Sequence, residues 1–133
     1  MSPNAPLGAA MIHSALLILL GVGLAANVIT KRRAALVGRG DGGDAGLARA
    51  IRTHGNFVEY APFAIASYIL LALAGVSALL IHGLGTVFLV GRVAHAAGLS
   101  QREGSSLGRV AGAALSLLVL VAASVQLLLG ALG

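Results

Sequence analysis

Residues 7–33 read LGAAMIHSALLILLGVGLAANVITKRR, an apolar run from Leu7 to Ile29 followed at once by Lys31, Arg32 and Arg33. Only small or weakly polar residues such as His13, Ser14 and Asn27 interrupt it. About 20 such residues, rising 1.5 Å each, cross the ~30 Å hydrocarbon layer of a bilayer. A cleavable signal peptide carries its positive charge before the apolar run and a small-residue cleavage site after it. Here the charges come after the run. The stretch therefore reads as a retained membrane helix whose C-terminal end lies in the cytoplasm.

The pattern recurs along the chain. A second apolar run starts at Phe57, reaches Leu73 and is expected to continue to Leu80, after a polar but helix-compatible stretch from Leu47 to Asn56. A third spans Ile81–Leu99 and a fourth Leu107–Leu132. The expectation is one all-α transmembrane domain, a four-helix bundle over residues 1–133 with helices near 7–30, 47–80, 81–99 and 107–132. The third helix is the shortest and carries two ionisable groups, which places it inside the bundle. Composition agrees: 58% of the 133 residues are hydrophobic and 10% charged, where a soluble domain needs about a quarter charged. Long Leu, Ala and Val runs also exclude the two-residue alternation of an outer-membrane barrel.

Net charge is +5 and the pI about 11.2, yet nucleic-acid binding is not the reading. The basic residues are few and sit beside spans. Lys31, Arg32, Arg33, Arg39, Arg49 and Arg52 fall in or next to the first loop, and Arg102 and Arg109 around the third connection. By the positive-inside rule these loops are cytoplasmic and both termini periplasmic, in a bacterial inner membrane with lipid as the surrounding partner. The glycine-rich Gly38–Asp44 segment follows no strand, so it reads as a flexible loop and not as a phosphate cradle. Cysteine is absent, so any sulfur chemistry comes from a ligand. No residues show metal-ligand spacing, and no serine, histidine and carboxylate form a triad compatible with this topology. His13 and His82 lie at the end opposite the basic loops, away from the other polar groups.

Ionisable residues at membrane depth carry the functional information, because a charge at mid-bilayer costs about 2.5–3.5 kcal/mol on insertion scales. Arg52, Asn56 and Glu59 recur at i, i+4 and i+7 of the second helix, one above another on a single face. A guanidinium, an amide and a carboxylate so stacked can hold a small zwitterion through its carboxylates and amine. The alternative is an internal ion pair that ties helices together. His54 is off that face and suits packing or capping as readily as ligand contact. Pro62 has no N–H for the Val58 carbonyl, and a bend there suits a plain kink or a ligand cavity equally. Arg92 lies inside the third apolar run, with His95 at i+3; an Arg92–Glu59 ion pair between helices is expected, and His95 either binds ligand or packs. Gly108, Gly112 and Ser116 form a small-residue ladder that permits close helix approach. Arg109, taken alone, reads as a topology charge.

Three segments resemble a known family: GLARAIRTHGNFVEYAPF at 46–63, HGLGTVFLVGRVAHAAGL at 82–99 and GRVAGAALS at 108–116. The ordered pattern RxHxNFxEYxP…GRxxHxxG is similar to that of the MAPEG proteins, membrane-associated proteins of eicosanoid and glutathione metabolism, in their bacterial branch. The resemblance runs from Val37 to Ser116. It implies a homotrimer with glutathione as co-substrate, bound between protomers near the cytoplasmic face. Arg52, Asn56, Glu59, Tyr60 and His95 then match glutathione-contacting positions. Arg109 matches the arginine at the base of the fourth helix that stabilises the thiolate, and a basic residue near Lys31–Arg33 could act similarly from the neighbouring protomer.

The chain departs from the eicosanoid enzymes, with Gly55 in place of an arginine, Leu99 in place of a tyrosine and Val110 in place of a serine. Ala72–Gly75 also lacks the Glu that bacterial members often carry near the end of the second helix. The expected activity is a glutathione-dependent transferase or peroxidase acting on lipophilic electrophiles or lipid hydroperoxides. A fold-retaining protein that binds glutathione or lipid without catalysis is the alternative. A small proton-coupled exporter centred on Glu59 is a third reading.

Overall fold

A computed structural model describes residues 5–101 and 107–132, and every regular element in it is helical. The helices are α1 (Ala5–Ala35), α2 (Ala45–Leu73), α3 (Ala78–Gln101) and α4 (Leu107–Leu132). All four are long and apolar enough to cross a membrane, which makes the chain an integral membrane protein. α2 packs against the other three helices, α3 does likewise, and among the described residues α1 and α4 do not touch. The central pair thus carries the polar residues, as their lipid-rejected chemistry demands. Leucines such as Leu19, Leu118 and Leu128 stay exposed on the rim. That exterior is what lipid covers. Arg102 of the third connection lies outside the described residues.

Local chemistry sets the helix ends. At the end of α1, Leu36 adopts a left-handed φ of 55°, Val37 N–H donates to the Arg32 carbonyl (3.1 Å) and Leu36 N–H to that of Arg33 (3.3 Å), a Schellman closure built on a leucine. Asp44 caps α2 by accepting from Leu47 N–H at 2.6 Å. The expected run of the second helix to Leu80 is corrected here: α2 stops at Leu73. Gly75 takes φ 74°, its N–H bonds the Ala72 carbonyl and that of Val76 the Leu71 carbonyl. Ser77 Oγ then accepts from Leu80 N–H at 3.3 Å and opens α3. Unbroken hydropathy hid a glycine stop and a serine start two residues apart. α1, by contrast, runs past its expected end near residue 30, continuing through Lys31–Arg33 to Ala35.

Close crossings of α3 position the polar groups. A methyl group on Gly112 would collide with the Gly91 carbonyl oxygen and come within 2.7 Å of His95 N. One on Gly108 would stand 3.1 Å from the Ala94 carbonyl. The ladder Gly108–Gly112–Ser116 is therefore spent within the chain, seating α4 against the turn of α3 that carries Arg92 and His95. Pro62 sits within α2, which stays helical through it to Leu73.

Candidate functional site: a buried arginine joining three helices

Arg92 is 1% exposed; neighbouring helices bond its two terminal nitrogens, while its Nε is buried without a partner among the described residues. Nη2 donates to Asn56 Oδ1 of α2 at 2.6 Å, and Nη1 to Ser116 Oγ of α4 at 3.4 Å. The guanidinium carbon also stands 5.4 Å from the centre of the Tyr60 ring. A hydrogen bond to a charged group contributes about 1.5–3 kcal/mol and a cation–π contact about 0.5–2. Together these match the ~2.5–3.5 kcal/mol that an arginine costs at membrane depth. Here the structure corrects the expected ion pair. Arg92 bonds Asn56, one turn before Glu59, and the Glu59 carboxylate acts on it as a nearby charge without a direct bond. Geometry explains the preference: Asn56 is half-buried and turned toward α3, whereas Glu59 is exposed on the outer side of α2.

The amide orientation follows from that bond. A guanidinium can only donate, so Oδ1 faces Arg92 and the Asn56 Nδ2 hydrogens face away from it. Arg52 and Glu59, above and below on the stripe, are both exposed. Of the stripe, then, only Asn56 turns toward the interior of the bundle. His95 is buried, and its Nδ1–H donates to the Arg109 carbonyl at 2.8 Å, fixing the first turn of α4 against α3. A carbonyl only accepts, so this bond also assigns the tautomer. The structure thus brings Asn56, Tyr60, Arg92 and Ser116 together and joins His95 to the Arg109 backbone.

Ser116 entered the sequence reading only as a packing residue; its hydroxyl proves to be a partner of Arg92 while donating to the Gly112 carbonyl at 2.8 Å. The basic loop has its own cavity of about 230 Å³ between α1 and α2, lined by Asn27, Lys31, Gly46, Arg49 and Ala50. Arg32 is committed elsewhere, donating to the Gly40 carbonyl at 2.7 Å. At the opposite end, sequence reading missed a second polar cluster: His13 Nε2 and His82 Nδ1 stand 3.1 Å apart. Similar depth from the helix ends was the available signal, but 69 residues separate the two in sequence. Among the described residues no group of three or more His, Asp or Glu converges on a metal-sized site.

A four-helix membrane chain in which a buried arginine meets Asn56 and Ser116 beside an exposed Arg/Glu stripe defines a class of membrane protein with a polar site at one end. The MAPEG family model matches residues 10–129, so the chain belongs to the MAPEG family. It is also 36% identical over 91 residues to the inner membrane protein YecN of Escherichia coli K12. That match covers 68% of this chain and 70% of the relative, and the YecN of E. coli O6:H1 strain CFT073 matches to the same extent.

Proposed function

We propose that the protein is a glutathione-dependent transferase or peroxidase of the bacterial inner membrane, acting on lipophilic electrophiles or lipid hydroperoxides. The observation that carries this reading is the Arg92–Asn56 bond of 2.6 Å, which engages Oδ1 and leaves the Asn56 Nδ2 donors facing away from Arg92. Arg52 and Asn56 then offer donors to the carboxylates of the tripeptide, and Glu59 offers an acceptor to its amine. Tyr60 and His95 complete the contact set. Arg109 supplies the cation that favours the thiolate over the thiol. The thiolate attacks an electrophilic carbon and displaces its leaving group. With a hydroperoxide it attacks the terminal oxygen, the O–O bond breaks and the alkoxide takes up a proton to leave as the alcohol; the thiol of a second glutathione then displaces water from the resulting sulfenic acid to form the disulfide.

Exposure of Glu59 supports assembly. Leu73 ends α2 some 14 residues later, so at 1.5 Å per residue Glu59 lies about 21 Å along a ~30 Å crossing. A carboxylate at that depth belongs against protein or a polar ligand, not lipid. A homotrimer with the ligand between protomers, basic loops cytoplasmic and termini periplasmic, accommodates it. A fold that binds without turning over is the second reading, favoured by two positions: Leu99 is buried at 6% exposure and Val110 points outward at 60%, so neither offers a reacting group.

The test is a glutathione titration of detergent-purified protein, following thiolate absorbance and conjugation of an aromatic chloride. Saturable binding with turnover that falls in Arg109→Ala is expected. Binding with no turnover selects the second reading, and no saturable binding rejects both. Exporter activity would instead appear as glutathione-insensitive transport in vesicles, lost in Glu59→Gln.

A further inference from the structure

The cavity between α1 and α2 at the basic end is lined by none of the residues of the proposed glutathione site. Two helix faces build it. Asn27 and Lys31 recur at i and i+4 of α1, and Gly46, Arg49 and Ala50 at i, i+3 and i+4 in the first turns of α2. Ala50 is buried and closes the inner side, whereas Asn27 and Lys31 are exposed at the mouth. The enclosed space is about 230 Å³, below the ~300–1,000 Å³ of pockets that take a whole small molecule. It suits a single small polar group. Asn56 of the glutathione stripe turns instead toward α3, about 10 Å along α2 from Arg49.

Gly46 keeps the space open. A methyl group on it would stand 3.1 Å from Asp44 Oδ1 and 3.5 Å from Lys31 Nζ. The Lys31 ammonium is thus held beside the N-terminus of α2. That end carries about +0.5 elementary charge, so a cation there is disfavoured on its own. The amide of Leu47 is taken by Asp44 Oδ1 at 2.6 Å and that of Ala48 by the Asp44 carbonyl at 2.9 Å. Those of Ala45 and Gly46 have no acceptor within the helix. Asp44 sets one carboxylate against two lining cations and a helix end. Asp41 is turned to the Gly43 N–H, and Arg32 to the Gly40 carbonyl.

From this lining we infer that Asn27, Lys31, Gly46 and Arg49 form a binding site for a phosphate group, offered by an anionic phospholipid headgroup or by a soluble phosphate. Phosphate oxygens accept from the Lys31 ammonium, the Arg49 fork, the Asn27 amide and the first-turn amide of Gly46, and their charge offsets the excess of cations. Depth fits a headgroup. Asn27 lies two residues before the apolar run ends at Ile29 and Lys31 two residues after it, a span of about 6 Å along α1. The cavity therefore sits where hydrocarbon gives way to the polar layer, and basic pockets between membrane helices at that level bind anionic headgroups.

The experiment uses the full chain, delipidated in a neutral maltoside detergent and titrated in separate arms with phosphatidylglycerol and with inorganic phosphate at matched ionic strength. Expected is a saturable rise in Tm of a few degrees, with one bound ligand per chain by native mass spectrometry. A shift with phosphatidylglycerol alone identifies the lipid headgroup as occupant, and one with inorganic phosphate identifies a soluble phosphate. Lys31→Gln and Arg49→Gln should each weaken binding about tenfold, and Gly46→Ala, which keeps both charges but fills the cradle, should do likewise. Arg39→Gln removes an exposed loop cation that does not line the cavity and should change nothing. No saturable shift in either arm, or one unchanged in Lys31→Gln, would overturn the assignment. So would an equal loss in Arg39→Gln, which marks diffuse attraction to the whole basic loop. Should Gly46→Ala disturb the Asp44 cap, the two charge variants still decide the question.

Discussion

Removing the Arg92 guanidinium tests whether the polar junction or the helix crossings hold the site together. In Arg92→Met the 2.6 Å bond to Asn56 and the weaker 3.4 Å bond to Ser116 are lost, along with the Tyr60 contact. The lost bonds and ring contact are worth about 3–6 kcal/mol in all, against ~2.5–3.5 regained by no longer holding a charge in the membrane. A further ~1–3 kcal/mol is lost because Asn56 Oδ1 is left unpaired, the lower end applying because Asn56 is half-buried. The net expectation is a destabilisation of about 1–4 kcal/mol, shared between the lost guanidinium contacts and the orphaned amide. Asn56→Leu alone should cost a similar amount by orphaning the guanidinium. The double variant should recover part of the loss, because an apolar pair of matched size leaves no unpaired group. A double-mutant cycle by denaturant unfolding in a fixed detergent should return a coupling of about 1.5–3 kcal/mol. Coupling below ~0.5 kcal/mol would refute the Arg92–Asn56 junction as the organising contact.

Further outcomes follow from single residues. Arg52→Ala, at an exposed position, should weaken glutathione binding about tenfold, near 1.4 kcal/mol, while leaving the unfolding midpoint unchanged; isothermal titration beside a melt separates the two. Leu36→Gly relieves a left-handed leucine and should stabilise by about 1 kcal/mol, read as a higher Tm. Asp44→Ala removes the α2 cap and should destabilise by about 1 kcal/mol, with faster proteolysis of the 36–44 loop as the local readout.

The spans were legible because lipid imposes a single requirement, continuous apolar length, which Leu7–Ile29 and Leu107–Leu132 state without ambiguity. The α2–α3 boundary was harder, since Leu73, Val76 and Leu79 keep the hydropathy high across it. Its signal was stereochemical: a glycine able to take positive φ and a serine able to cap, which hydropathy does not register. The site was legible as a list and misread as a pairing. Helical spacing puts Arg52, Asn56 and Glu59 on one stripe, but it does not say which of them faces α3. Charge complementarity favoured Glu59, whereas rotation of α2 about its axis presents Asn56. The His13–His82 contact was out of reach for a related reason. One-dimensional periodicity orders residues within a helix, and that contact depends on how α1 and α3 cross.

Both polar clusters depend on α3 having glycine where a side chain must enter. Gly85 makes room for the His13 ring, and Gly91 with Gly112 brings α4 close enough for Ser116 to meet Arg92. In an apolar bundle the missing methyl serves two purposes: it admits a bulky polar group, and it shortens the reach to a partner on the next helix. The two devices are separable, since His82 and Arg92 are ten residues apart, about 15 Å along α3. Gly112→Ala should therefore overpack the α3–α4 crossing, cost about 1–3 kcal/mol and weaken glutathione binding, with the His13–His82 end unaffected. Gly85→Ala should leave glutathione binding intact while displacing His13. Combined, the two should destabilise additively within ~0.5 kcal/mol, as independent sites do. A clear departure from additivity would mean that α3 moves as one rigid unit and that the two polar ends are coupled through it.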